Sequence, residues 1–245
     1  MKRGSLILTL VAGTLVFLCV LVLYLPASWF ASRLPPQIVC TELGGSVWHG
    51  ECLGLAFENA KLGDASWNLS PLRAITGRLS GDVDVRSNLL TARSDIDLRL
   101  DGSGHLRNLS AQFPMDPTVV PAFSRDYRGM VSARFTSLEL GVNGAPRALQ
   151  GTVELRDYRQ VSPRPLDLGS YEVTFDGGPV GKLRDIGGPF SVEGTVTFTP
   201  PNNYVVQGLI SGRTPEAVNI VRNDIAFGAP PDASGRNQFQ FENSF

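Results

Sequence analysis

Residues 45–55 read GSVWHGECLGL and place Trp48, His49 and Cys52 within five positions, flanked by glycines. A Cys–His pair can generate a thiolate nucleophile, and Cys, His and Glu are common metal ligands. Neither chemistry fits this stretch. On a strand, His49 and Cys52 are three apart and point to opposite faces. The set His49, Glu51 and Cys52 matches no recognised ligand spacing. The chain has two histidines, His49 and His105, and contains no G-x-S-x-G, H-E-x-x-H, Walker A or dinucleotide fingerprint. The expectation is a non-enzyme with no catalytic, metal-ligating or cofactor-binding residues. The paired acids of DVDVR (82–86) and DIDLR (95–99) share the wet face of half-buried strands. The stretches DGSG and DGGP read as turns rather than calcium loops. Asn68 and Asn108 fit N-x-[ST], a signal with meaning only in a eukaryotic secretory route.

Three cysteines are present. Cys19 lies within an apolar run, as a lipid-facing or packing residue. Cys40 and Cys52 follow that run, and in an oxidising compartment they would pair, closing a short ring worth about 2–3 kcal/mol. Two reduced, buried thiols are the alternative. A bridged Cys52 could not act as a nucleophile, which leaves a structural part for this stretch. Gly44, Gly45 and Gly50 permit tight backbone, and Trp48 and Trp67 are large apolar anchors. Trp48 is expected in the sheet core with His49 pointing outward; an interface role for Trp48 is the alternative.

The elements that position these residues begin with residues 6–25, an uncharged run long enough to cross about 30 Å of hydrocarbon as a helix. A cleaved signal peptide is the rival reading, but its apolar region is shorter and ends in small residues. Here the run leads into PASWF, and Tyr24, Trp29 and Phe30 suit the head-group region. Lys2 and Arg3 precede the run, while Arg33 and then Glu42 follow it. Positive charge stays inside, so residues 1–5 are expected in the cytoplasm, 6–25 in the membrane and 31–245 outside. Without Lys2 and Arg3 the exported part carries 20 basic and 23 acidic residues, a net charge of -3. That balance gives no support for nucleic-acid binding. It also makes the helix itself, not a basic patch, the expected membrane contact.

The body of the chain alternates with period two. DIDLRLD sets Ile96, Leu98 and Leu100 against Asp95, Asp97, Arg99 and Asp101. MVSARF sets Val131, Ala133 and Phe135 on one side, then slips one step before Leu138 and Leu140, the mark of a bulge. TVELR, YEVTF, FSVEGTVTF and FQFE alternate likewise, and glycine-bearing turns separate the runs. The chain holds 26 Gly and 17 Pro but only 18% charged residues. The predicted class is all-β: one N-terminal transmembrane helix, then a mainly antiparallel, curved sheet with a few short helices. Sandwich, barrel and open groove all remain open. Helix starts are expected at Ser70–Pro71, Asp116–Pro117 and Thr214–Pro215, each a capping residue before proline, with Pro121 stopping the second.

In order along the chain, the apolar span, LPASWF (25–30), GGSVWHGECLGL, LGDASWNLSPLRAITGRL (62–79), SYEVTFDG and LRDIGGPFSVEGTVTFTPPNNYVVQGLISGR (183–213) resemble type II secretion system protein N. This is the general secretion pathway N component of Gram-negative bacteria. The specific part is Trp48 with Gly50, and Trp67 with Pro71 and Leu72. The resemblance implies an inner-membrane, periplasm-facing accessory or scaffolding subunit of the machine that moves folded proteins across the outer membrane. Its implied partners are the inner-membrane platform, the pseudopilus or the secretin, and it implies no catalytic residues. A second class of function remains beside it, in which an anchored periplasmic β-groove handles phospholipid or another hydrophobic ligand. A closed core would favour the scaffold and an open apolar groove the lipid. A periplasmic hydrolase lacks a nucleophile–base pair.

Overall fold

The computed structural model of the chain describes residues 3–29, 37–57, 60–120, 123–142, 145–199, 203–225 and 230–244. Helix α1 runs Arg3–Leu23. It stops short of the predicted residue 25 because Leu25 precedes Pro26, and a residue before proline is pushed out of the helical region. Among the described residues no helix is long and apolar enough to cross a membrane. The side chains at 3–9, 15, 18 and 19 of α1, Cys19 included, lie outside the described residues, as do Lys2, Phe30, Arg33 and Pro121. The span 6–25 therefore stands as an expectation from sequence.

The strands follow as β1 (Ile38–Val39), β2 (Glu42–Gly45), β3 (His49–Phe57), β4 (Ala60–Leu69), β5 (Arg78–Arg86), β6 (Thr91–Arg99) and β7 (Gly104–Pro114). They continue as β8 (Tyr127–Leu140), β9 (Pro146–Gln160), β10 (Leu166–Gly178), β11 (Val180–Gly187), β12 (Phe190–Thr199), β13 (Asn203–Gly212) and β14 (Asn237–Ser244). All fourteen form one antiparallel sheet; from β3 to β14 each strand pairs with the next in sequence, while β1 and β2 both pair with β3. The ladder does not close, because its ends, β1 and β14, are not paired with each other. Sequence left sandwich, barrel and groove open, and the result is a single open sheet.

The period-two pattern becomes two faces. One register row crosses the ladder as Leu43, Cys52, Ala65, Val85, Ala92, Ala111, Ala133, Val153, Val173, Leu183, Gly194, Gly208 and Phe239. No polar side chain interrupts it. The adjacent row reads Gly44, Glu51, Ser66, Asp84, Arg93, Ser110, Arg134, Thr152, Thr174, Lys182, Thr195, Gln207 and Gln240. After Gly44 every member is polar, so the second row faces water.

Bulges are paired so that this division survives them. The slip expected after Phe135 is present between β8 and β9, where Phe135 faces Gly151 and Ser137 faces Gln150. β7 carries a matching extra residue near Asn108, at φ 52°, opposite β6. Both strands slip at the same level, so the β7–β8 ladder runs unbroken from Pro114–Met130 to Gly104–Leu140. Leu106 and Leu138 thereby return to the apolar face beside Leu109 and Phe135.

The sheet curls toward the apolar face. Strands two apart are separated by about 9.6 Å of backbone. Yet the rings of Phe135 on β8 and Phe175 on β10 lie 6.0 Å apart, and those of Phe175 and Phe198 on β12 lie 5.8 Å apart. The intervening residues are Gly151 and Gly181, and the space a side chain would fill is taken by the rings. Phe135, Leu138, Leu149 and Phe175 form one core; Phe190, Val192 and Ile210 form another. The second is covered by Ala217 of α3 (Pro215–Ile220) and Val221 of the π turn Val221–Ile225. At the far end of β8–β10, Tyr127 stacks on Tyr158, and Tyr158 meets Tyr171 edge to face. Burial pushes the Tyr158 and Tyr171 hydroxyls up to about 12, so both stay protonated at physiological pH.

Two of the three expected helices form. The Thr214 hydroxyl caps α3 by accepting from the Ala217 N–H at 3.2 Å. Helix α2 (Pro71–Ala74) forms after Ser70 without a side-chain cap bond. The segment after Asp116 forms a hydrogen-bonded turn and no helix. Its carboxylate accepts from the backbone N–H and hydroxyl of Thr118 at 2.9 and 2.7 Å. This is the bond a capping residue makes to the second residue after it, and the Val120 N–H donates to the Asp116 carbonyl at 3.0 Å, but Pro121 follows in sequence and pushes Val120 out of the helical region, so the turn is not continued. The Thr118 bonds hold the Asp116 carboxyl below its usual range.

Replacing Gly181 by valine should therefore weaken the curl. A Cβ there would meet Val173 Cγ1 at 2.6 Å and Phe175 Cε1 at 2.7 Å. The expected loss is about 1–3 kcal/mol, read as a lower urea midpoint at unchanged slope. An unchanged midpoint would mean that the rings are free to move aside.

Candidate functional site

The stretch that opened the sequence reading is the β2–β3 hairpin turn, and it holds the end of α1. The Ser46 N–H donates to the His49 carbonyl at 2.8 Å, and the His49 N–H donates to the Ser46 hydroxyl at 3.0 Å, closing the turn. The Trp48 indole N–H donates to the Val22 carbonyl at 2.7 Å, and the Val47 N–H donates to the Leu25 carbonyl at 3.0 Å. The last carbonyls of a helix have no partner within it, and here the turn supplies one. Pro26 forms an isolated bridge with Ser46, and Ala27 is buried at the same place.

Trp67 on β4 completes the corner. Its indole N–H donates to the Val47 carbonyl at 3.0 Å, and the Leu69 N–H donates to the Trp48 carbonyl at 2.6 Å. The Trp67 ring lies over Gly50, where a Cβ would sit 2.3 Å from Cζ2 and 2.7 Å from the Ser46 carbonyl oxygen. Gly50 is thus a position where only hydrogen leaves room for the ring. Trp48 is buried as expected, but in the turn against the helix end and not in the sheet core. The reason is its indole N–H, a donor that the apolar face of the sheet could not satisfy.

Cys40 and Cys52 are joined by a disulfide with Cα atoms 5.7 Å apart, which ties the β1–β2 junction to β3. Cys52 faces the apolar row, whereas His49 is exposed. Pro71 and Leu72 lie in α2, with Leu72 77% exposed, so they sit beside the corner's β4 strand and take no part in its hydrogen bonds. Tyr24 and Trp29 stand exposed just after α1, and Phe30 lies outside the described residues.

The remaining candidates for chemistry are occupied structurally. His105 Nε2 shares a hydrogen bond with the Ser137 hydroxyl at 2.7 Å. Asp101 accepts from the backbone N–H and hydroxyl of Ser103 at 2.9 and 2.6 Å, which makes DGSG a turn. Those bonds lower the Asp101 carboxyl. Asp95 accepts from the Asn108 amide at 2.7 Å. Among the described residues no group of three or more His, Cys, Asp or Glu is placed to hold a metal ion.

Sequence reasoning missed the partner of the corner, the carbonyl of Val22 in the last turn of α1. Its signal is the order of the residues: a helix end at Leu25–Pro26, then two tryptophans on consecutive hairpin arms. A Trp48→Phe change removes the indole donor and should lower stability by about 1 kcal/mol. Gly50→Ala should cost about 1–3 kcal/mol by displacing the Trp67 ring. Thermal unfolding in detergent followed by tryptophan emission reads both, and wild-type behaviour of Gly50→Ala would show that the corner yields.

A family model for "Type II secretion system (T2SS), protein N" matches residues 36–240. The match covers the described sheet from β1 into β14. No curated protein sequence and no solved structure matches the chain.

Proposed function

The chain belongs to the type II secretion system protein N family, and from that premise we propose that it is an accessory, scaffolding subunit of the secretion machine. Residues 6–25 hold it in the inner membrane with the amino terminus in the cytoplasm, and residues 31–245 stand in the periplasm. It supports export of folded proteins across the outer membrane by protein–protein contact and not by catalysis. Its partners are the inner-membrane platform, the pseudopilus or the secretin.

The observation that carries this reading is the unclosed ladder. β14 (Asn237–Ser244) pairs with β13 on one side and has no strand on the other among the described residues. Every second residue of such an edge turns its backbone donor and acceptor outward, which is a template for adding a strand of another chain. No lysine or proline blunts the sequence NQFQFENS. Deleting the gene should block exoprotein release or reduce co-purification among the remaining subunits. Normal secretion together with unchanged co-purification would remove the proposal.

A second reading is favoured by the uninterrupted apolar row. From β3 to β7 it consists of Cys52, Ala65, Val85, Ala92 and Ala111, and no helix packs over it among the described residues. Such a single-layer apolar surface suits a phospholipid acyl chain or similar ligand. Native mass spectrometry of the gently extracted full chain should then show bound phospholipid, and a lipid-free spectrum would sink this reading.

A further inference from the structure

Antiparallel pairing divides the connections between two rims of the sheet. The β2–β3 turn lies on one rim, and α1 is fastened there through the bond from Trp48 to the Val22 carbonyl. The same rim receives the β4–β5 connection with α2, the β6–β7 turn at 100–103 and the β8–β9 connection at 141–145. Its apolar side chains are the most exposed of the sheet: Leu72 at 77%, Ile75 at 81% and Leu100 at 86%. None is placed to cover the others' share of the core, and Leu100 sits at the very tip of its turn. On the opposite rim the most exposed large apolar residue among the described ones is Leu89, at 55%.

We propose that this rim rests in the head-group region of the bilayer that holds α1, with Leu72, Ile75 and Leu100 entering the acyl boundary. The inference rests on the anchor reading given above. Tyr24 and Trp29, exposed at the end of α1, flank Pro26, which bridges to Ser46 of the β2–β3 turn on the same rim. Gly, Asn, Asp and Ser are the usual choice in a turn, and Leu100 stands there 86% exposed. Single exposed apolar residues are ordinary; three on the anchored rim are a surface. The attachment is apolar and not electrostatic. Of the arginines on this rim, Arg78, Arg99 and Arg147 surround one depression together with Asp97, Asp101 and Glu139, so their charge is matched, and Arg73 alone stands in α2 between Leu72 and Ile75.

The test uses the full chain in phospholipid vesicles, in a Cys19→Ser background with the Cys40–Cys52 bridge intact. Leu72→Cys and Leu100→Cys on the anchored rim, and Leu89→Cys and Val161→Cys on the other, are each labelled with an environment-sensitive dye. The vesicles carry lipids with nitroxide at the head group or shallow in the chain. The expected result is several-fold stronger quenching at positions 72 and 100 than at 89 and 161, unchanged by high salt. Equal quenching at both rims overturns the proposal, as does shielding of positions 72 and 100 that needs an added protein partner. Flotation after alkaline carbonate extraction reads the anchor separately. A chain that floats with unquenched Leu72→Cys and Leu100→Cys labels keeps its anchor and loses only the rim contact. A chain that fails to float loses both.

Discussion

Register is the constraint on which everything else rests. In a strand the side-chain period is two, so a slip of one residue at any ladder would exchange the faces of every strand beyond it. The row from Leu43 to Phe239 passes through twelve successive pairings without such an exchange. A β-bulge is a slip of this kind, which is why the bulges in β7 and β8 lie side by side. Had β8 slipped alone, Leu138 and Leu140 would face water, or Leu106 would. Leu138 and Leu149 are instead among the most buried residues of the sheet.

The apolar face has too little cover of its own. Among the described residues no large side chain is completely enclosed, and α3 with its π turn shields only the last third of the sheet. Curling supplies part of the remedy. Glycine at positions 151 and 181 lets phenylalanines from alternate strands meet, which removes apolar area from water without a second layer. On β4, β5 and β6 the row is Ala65, Val85 and Ala92, and no phenylalanine pair bridges those strands.

Much of this was legible in sequence, and the parts that were not have a common cause. Alternation in DIDLRLD and FSVEGTVTF revealed the strands because it is local, and the step before Leu138 revealed the bulge for the same reason. Thr214–Pro215 announced a helix because the cap and its recipient, Ala217, are three residues apart. The disulfide between Cys40 and Cys52 followed from there being no other thiol after the apolar run. What stayed hidden depends on residues far apart in the chain. Trp48 meets Val22, 26 positions away, and Phe135 meets Phe175 across an intervening strand. Asp116 misled because its capping bond to Thr118 does form, while Pro121 ends the turn before it becomes a helix. The net charge of residues 31–245 says nothing of a rim, since a sum discards position.

The Trp48 corner connects these two halves of the molecule. A helix joined to a sheet by a flexible segment would leave the sheet's orientation undetermined. Here two hydrogen bonds, from Trp48 to Val22 and from Val47 to Leu25, fix the hairpin to the helix end, and Trp67 braces the turn through the Val47 carbonyl. One rim of the ladder is consequently held at a set distance from α1, and the strands run away from it. β14 lies about eleven strand spacings of roughly 4.8 Å from β3 along the sheet, so the corner and the open edge lie at opposite ends of the strand order. A strand added at that edge would pair with β14 and leave the hydrogen bonds of the Trp48 corner untouched.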